Sequence, residues 1–541
     1  MSGVPELRAA VEAAVAALAD GSGAPRSAPT LERPKQAEHG DYATNAALLL
    51  APVLGAPPRE VAERLGGALR ERLGGALDRV EVAGPGFLNL FLSDAWHLAA
   101  LDAILAAGEG YGGGFAERPL RVLVEFVSAN PTGPLTAASG RHAAYGDALA
   151  RILEFAGHSV QREYYFNDAG SQVRRLGESI QARARGEQPP EDGYQGDYVA
   201  DLAARIPQAA DGDVDAIAAR GVELLMEDIR ATLEDYRVHF DSWFQERSLH
   251  DGAIGRAVGR LEADGRTFRR DGALWLRSSE FGDDKDRVLL RSTGEPTYLA
   301  ADVAYHADKL ARGFEQLVDV LGADHHGYVA RMQAVMAALG AEPWQLEIPI
   351  LQFVHIVERG ERASMSKRRG DFVTLEELIR EIGVDATRFF MLQRSHDSTV
   401  DLDLDLAREQ SAENPVYYVQ YAHARIASVF RKAGEERVRA AMAADGAATG
   451  VELEEAERAL VKKLLAFGEE VAEAAERRAP HRMAAYALEL AQVFTAFYRD
   501  CLVVGAEPRE LEDVRLRLCV ATQRTLARSL GLLGVSAPEE M

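Results

Sequence analysis

Residues 121–151 read RVLVEFVSANPTGPLTAASGRHAAYGDALAR, and the pattern changes character twice within them. An apolar run from Val122 to Val127 ends at Ser128. A loop of Asn, Pro, Thr and Gly follows, and a helical spacing opens near Gly140 and continues through Ala148, Leu149 and Ile152. Strand, loop and helix start, in that order, is where α/β folds hold phosphate groups, because the first N–H groups of a helix have no partner inside it. Gly140 and Arg141 stand at this helix start. Taken alone, such a βα turn is also an ordinary structural connection.

Outward from this stretch, residues 118 to about 405 alternate strand and helix patterns, which predicts a Rossmann-like parallel sheet. Strand candidates are 121–127, 160–165, 286–291, 317–321 and 350–357. The charged, mostly helical segment 171–265 reads as an insertion between the two halves of that fold. Residues 1–110 form a separate α/β unit, with helical patterns near 5–20 and 42–75, a strand pair around 84–93 and a glycine-rich linker at 108–114. From 408 to 541, leucines and alanines recur at helical spacing through 411–433, 452–477, 481–502 and 510–533, an all-α bundle with a polar connection at 433–450.

A chain of 541 residues has room for roughly three or four domains. Its composition is that of a soluble globular protein, and no apolar run approaches bilayer length. The N-terminus lacks the basic region of a signal peptide. Cys501 and Cys519, both in apolar helical context, read as free thiols of a reducing cytoplasm. A formal charge of −23 argues against non-specific nucleic-acid binding, DNA included, while leaving room for a local basic face that meets one RNA.

A second motif lies far along the chain. ERASMSKRRGDFVTLEEL (361–378) follows the strand-like run LQFVHIV and contains Met365, Ser366 and Lys367. A flexible ammonium in such a loop can follow phosphate charge as a leaving group departs. Between the two motifs, Tyr298 and Asp302 are four apart in PTYLAADVAYHADK and share a face if helical. GADHHGYVARM (322–332) places His325 and His326 at a strand end; no further ligands at metal spacing accompany them, so they read as pocket lining.

With both motifs in place, the chain resembles the bacterial arginyl-tRNA synthetases of class I over nearly its full length. The resemblance implies ATP-dependent activation of L-arginine and transfer to tRNA(Arg), with ATP and its Mg2+ as nucleotide partners, a monomer, and a cytoplasmic enzyme. It implies Glu125, Ser128, Asn130, Tyr298, Asp302, His325 and His326 around arginine, with Asp302 on the guanidinium and Glu125 and Asn130 nearer the α-amino end. It assigns Pro134, Thr136, Ala138, Ser139, Gly140, Gly322, Asp324, Met365, Ser366 and Lys367 to ATP. LERPKQAEHGDYATN (31–45) and VAGPGFLNLFLS (82–93) resemble the family's tRNA-elbow domain, and the C-terminal bundle its anticodon-binding domain. Arg368, Tyr421, Arg425, Phe494, Tyr498 and Met541 are the implied RNA contacts.

One departure stands at the centre. The family carries His-x-Gly-His where this chain has Thr136, Ala137, Ala138 and Ser139. Hydroxyls donate hydrogen bonds but bring no charge. Losing one preorganised donor costs roughly 3–4 kcal/mol in a transition state. Arg141, His142 and Lys367 are the candidate compensators, alongside Thr136 and Ser139 themselves. The alternative reading is a non-catalytic paralogue that binds tRNA or arginine.

Overall fold

The computed structural model describes residues 3–21, 23, 25–34, 36–168, 170–362, 373–444 and 450–541. At its centre five parallel strands lie in the order Leu346–Glu347, Gln316–Asp319, Arg121–Glu125, Ser159–Phe166, Ser242–Gln245. The chain winds to one side of Arg121–Glu125 and then resumes on the other. The order reverses between Arg121–Glu125 and Gln316–Asp319, and a crevice opens beyond their carboxyl ends. Val122, Leu123 and Val124 are all fully buried, as strands covered on both faces must be. The Rossmann-like centre expected from the sequence is present.

Some strands fall elsewhere than expected. Ser242–Gln245, inside the segment read as a helical insertion, is the edge of the parallel sheet. Arg287–Leu290 does not join that sheet; it pairs antiparallel with Ala273–Leu276, which pairs with Thr267–Arg270. Val354–Glu358 runs parallel to Val400–Asp403 in a further small sheet. The rest of 171–265 is helical, as expected: Ser171–Ala184, Tyr198–Arg205, Val214–Asp235 and Ala253–Ala263.

The N-terminal unit is a four-stranded antiparallel sheet ordered Leu31–Glu32, Tyr42–Thr44, Phe87–Leu92, Leu77–Ala83. Helices Val4–Ala19, Ala46–Leu54 and Pro58–Leu73 accompany it. Tyr42–Thr44 is strand where the sequence reads as helix. Helix Asp94–Ala107 packs against the C-terminal helices Glu455–Leu465 and Arg509–Leu532, and the Arg458 guanidinium donates to Asp94 at 2.6 and 3.0 Å. The C-terminal bundle matches its pattern, with one correction: Glu435–Ala443 is helical where a polar connection was expected. Cys501 and Cys519 are buried free thiols. Among the described residues no helix is long and apolar enough to cross a membrane.

Helix Leu375–Leu392 joins these parts. It is broken at Gly383, whose φ of 80° no helix accommodates. Beyond the break Arg388, fully buried, donates to the Leu533 carbonyl at 2.8 Å and the Tyr236 carbonyl at 3.0 Å, and pairs with Asp147. Gly534 lies against that guanidinium: a Cβ there would fall within 2.3 Å of an Arg388 nitrogen.

Candidate active site

A cavity of about 390 Å³ occupies the crevice at the strand-order reversal. Glu125 and Asp319, the last residues of the two flanking strands, form its floor. Helix Tyr298–Ala311 contributes Asp302, Tyr305 and His306, and the turn after Leu321–Gly322 contributes Asp324, His325 and Tyr328. The exit from Arg121–Glu125 is sharp. Val127 (φ 67°) and Ser128 (φ 41°) are both left-handed, a costly conformation for a β-branched residue. The Ser128 N–H donates back to the Phe126 carbonyl at 2.9 Å, closing a three-residue turn. That turn brings the Ser128 hydroxyl to the Glu125 carboxylate at 3.0 Å.

Behind the floor lies a cation. Lys309 is wholly buried, and its ammonium donates to Glu125 Oε2 at 2.6 Å and Asp319 Oδ1 at 2.7 Å. Burial pulls the lysine pKa down, but the two carboxylates more than reverse this and hold it above its ordinary value. Asp319 is held well below the carboxylate range despite burial, by Lys309 and by His306, whose Nε2 lies 2.8 Å from Asp319 Oδ2. A further buried acid nearby, Glu163, takes two Arg312 guanidinium nitrogens at 2.6 and 2.8 Å and the Tyr305 hydroxyl at 2.8 Å.

Asp302 is different. Its carboxyl is pushed up to about 6, chiefly by burial; the Tyr328 hydroxyl and His306 pull it down, while Glu246 and Glu125 raise it. Among the described residues no lysine or arginine pairs with it. Glu246, buried, accepts the Tyr165 hydroxyl at 2.7 Å and adds a second carboxylate field at Asp302. The sequence reading missed Glu246. The signal was its position one residue past a strand of the parallel sheet, visible only once Ser242–Gln245 is recognised as that strand.

The start of helix Ala137–Ala156 closes on itself, and Thr136, Ser139 and Gly140, expected at ATP, do not line the cavity. Thr136 is the N-cap of helix Ala137–Ala156: its hydroxyl accepts the Ser139 N–H at 3.4 Å, and the Ser139 hydroxyl accepts the Thr136 N–H at 3.4 Å. The two hydroxyls lie 3.3 Å apart. The residues that replace the family's histidines thus form a capping box. Gly140 is buried, and a Cβ there would lie 2.7 Å from the Leu375 side chain, so its bareness serves helix–helix approach. Arg141, expected near phosphate, is turned away and buried. Its guanidinium donates to the carbonyls of Gln352 (2.6 Å), Ser395 (2.9 Å) and Ser398 (2.8 Å). His142 does line the cavity; burial pulls its pKa down to about 4, leaving it neutral near pH 7.

Met365, Ser366, Lys367 and Arg368 lie outside the described residues. The chain that follows them is placed beside the capped helix: Ala137 donates to the Val373 carbonyl at 3.2 Å, and Leu375 to the Leu135 carbonyl at 2.8 Å. The end of the second sequence stretch, from Val373, therefore meets the start of that helix.

Other expected site residues are scattered. Ser128, Gly322, Asp324 and His325 line the cavity. Asn130 is exposed and donates to Gln172 at 3.1 Å instead, Tyr298 is 76% exposed, and His326 is exposed; none lines the cavity, and neither does Pro134. Ala138 is exposed at the helix start. Among the described residues no group of three His, Cys, Asp or Glu is placed to hold a metal ion.

In the C-terminal bundle, Tyr417 and Tyr421 stack with ring centres 6.2 Å apart, and the Arg425 guanidinium lies 4.8 Å from the Tyr421 ring and 5.2 Å from that of Tyr498. Tyr421 and Tyr498 are exposed, forming an aromatic–cationic surface of the kind unstacked bases favour. Phe494 is a correction: only 1% exposed, it belongs to the core. The chain end runs along the same helix, with His423 Nδ1 2.8 Å from the Pro538 carbonyl, and Met541 is exposed.

Three family models match: the arginyl tRNA synthetase N terminal domain over 5–92, the class I (R) tRNA synthetase catalytic domain over 198–429, and the DALR anticodon binding domain over 419–541. Residues 121–151 fall between the matched spans. An arginine–tRNA ligase of Frankia alni is 48% identical over 525 residues, covering 95% of this chain and 94% of the relative. One from Kineococcus radiotolerans is 47% identical over 551 residues, covering 99% and 98%. The structure of Thermus thermophilus arginyl-tRNA synthetase superposes with a TM-score of 0.76 at 27% identity, covering 99% of this chain and all of that one. Nothing in these relatives favours a non-catalytic paralogue.

Proposed function

The chain belongs to the arginyl-tRNA synthetase family, and on that premise we propose how its own residues divide the work of activating arginine and charging tRNA(Arg). The arginine side chain enters the crevice with its guanidinium toward Asp302 and Glu246, and its α-ammonium toward Glu125 and Ser128. The observation that carries this orientation is the half-buried Asp302 carboxyl, which lines the cavity, is raised to about 6 and is free of any internal lysine or arginine among the described residues. A bound guanidinium supplies the missing cation. Class I synthetases use ATP, and the helix start at Thr136–Ser139 is the natural seat of its phosphates.

The arginine carboxylate oxygen attacks the α-phosphorus of ATP, and pyrophosphate leaves. The 3′-terminal ribose hydroxyl of tRNA then attacks the arginyl carbonyl, and AMP leaves. Mg2+ would arrive on the phosphates and offset their charge. Positive charge from the protein comes from Lys367, since the Arg141 guanidinium is occupied by three carbonyls. His142, neutral near pH 7, serves as a hydrogen-bond donor rather than a cation. Tyr421, Arg425 and Tyr498 take unstacked anticodon bases, and the chain works as a cytoplasmic monomer.

The test is charging of purified tRNA with radiolabelled arginine and ATP. Arginyl-tRNA accumulation dependent on ATP supports the proposal. No product above background at micromolar enzyme would sink it.

A further inference from the structure

Lys309 plays no part in the scheme above, yet it is the most completely buried cation of the site. Its aliphatic stem is enclosed, and its ammonium also lies 4.3 Å from the Tyr305 ring centre. It does not line the cavity; the two carboxylates that it holds do. It belongs to helix Tyr298–Ala311, the same helix that carries Asp302. One helix thus presents an acid to the cavity and a cation to the cavity's acidic floor.

A cavity meant for a cation must decide where that cation goes. Glu125, Asp302 and Asp319 all line it. Left alone, Glu125 and Asp319 would be the stronger magnet, being adjacent, buried and joined by the same lysine. We propose that Lys309 is a positioning residue that sorts these carboxylates: by occupying Glu125 and Asp319 from behind, it leaves Asp302 as the acceptor for the guanidinium and so fixes the direction in which arginine lies. The inference rests on the reading of the cavity as the arginine site.

Charge balance makes this separable from a purely structural role. In Lys309→Met the floor carries two carboxylates and no lysine, a site that favours a ligand cationic at both ends. In Lys309→Met with Asp319→Asn one carboxylate remains, and the formal balance of the lysine and two acids is restored although both hydrogen bonds to the ammonium are gone. The experiment measures the KM for arginine in tRNA charging and the inhibition constant of agmatine, which has arginine's guanidinium and an amine but no carboxylate.

In Lys309→Met the arginine KM is expected to rise about tenfold or more while agmatine tightens, moving the ratio of the two constants by at least about tenfold. In the double variant the ratio is expected to return to within about threefold of the unaltered protein. A ratio unmoved in the single variant, or still displaced about tenfold in the double variant, overturns the proposal and leaves Lys309 a tether. If the single variant does not fold, Asp319→Asn with Lys309 kept decides instead: the ammonium and one carboxylate leave the floor neutral, so agmatine is expected to weaken against arginine by about tenfold, and an unmoved ratio overturns the proposal. Failure of the unaltered protein to charge arginine would instead defeat the reading on which the inference rests.

Discussion

The carboxyl ends of the central strands and the start of helix Ala137–Ala156, whose His142 reaches the same cavity, are built on opposite plans. The strand ends are charged and over-determined. Lys309 and His306 fix the floor acids Glu125 and Asp319, Arg312 and the Tyr305 hydroxyl fix Glu163 nearby, and a strained turn at Val127 and Ser128 aims one more hydroxyl at Glu125. The helix start is neutral and self-contained: two hydroxyls cap each other's backbone, and the adjacent arginine is committed elsewhere. On the proposed reading, specificity for the amino acid would be invested in buried electrostatics, while the phosphate side would rely on backbone dipoles and on cations brought to it.

Breaking the charged side should cost most. Asp302→Asn is expected to lower kcat/KM for arginine by about 100- to 1000-fold, roughly 3–4 kcal/mol, by leaving a buried guanidinium without its counter-charge. Steady-state charging at varied arginine measures it, and a loss under tenfold would mean that another acid holds the guanidinium. Next in size is Arg141→Ala, which strands three carbonyl acceptors. A loss of about 3 kcal/mol in denaturant unfolding is expected, with the arginine KM little changed in whatever protein remains folded.

The contrast sharpens with pH. Asp302 must be ionised to pair with a guanidinium, and its carboxyl titrates at about 6. Below that pH the acid is protonated and neutral, so kcat/KM for arginine should climb up to about tenfold per pH unit below 6 and level off above it. In Asp302→Asn that limb should vanish; a limb that persists belongs to another group. His142→Ala is expected to slow charging by about tenfold with little change in unfolding free energy, as the loss of one ordinary neutral hydrogen bond would. An unchanged rate would remove His142 from the chemistry.

Smallest of all should be Thr136→Ala with Ser139→Ala. If these hydroxyls act chiefly as caps, thermal unfolding registers about 1 kcal/mol and charging falls less than tenfold. A fall beyond about 100-fold would show that they touch phosphate in the transition state after all, and the two regions would be more alike than their resting geometry indicates.

Much of this was readable before any coordinates. The strand Arg121–Glu125 announces itself through an uninterrupted apolar run, and its helix through small residues at helical spacing. Glu125, Ser128, Asp302 and His142 were named from the sequence and line the cavity. Ser242–Gln245 was not readable: four residues amid charged helices carry too short a pattern, and Glu246 was lost with them. Arg287–Leu290 was seen as a strand but joined to the wrong sheet, because hydrophobicity reports burial and not partner. Lys309 was passed over since a lysine near the end of a polar-faced helix ordinarily reaches water. Resemblance puts Asn130 and Tyr298 at the cavity, but their side chains are exposed and neither lines it.

The grip of Arg388 on the Leu533 carbonyl has a consequence for how the molecule is made. Its acidic partner, Asp147, precedes it in the chain, and so does the Tyr236 carbonyl. The Leu533 carbonyl follows 145 residues later. During synthesis, then, Arg388 of helix Leu375–Leu392 is made before one of its three partners, and its hydrogen-bond set can close only after Leu533 is delivered. Chains cut before Leu533 should leave that buried guanidinium without one of its acceptors and be measurably less stable around helix Leu375–Leu392.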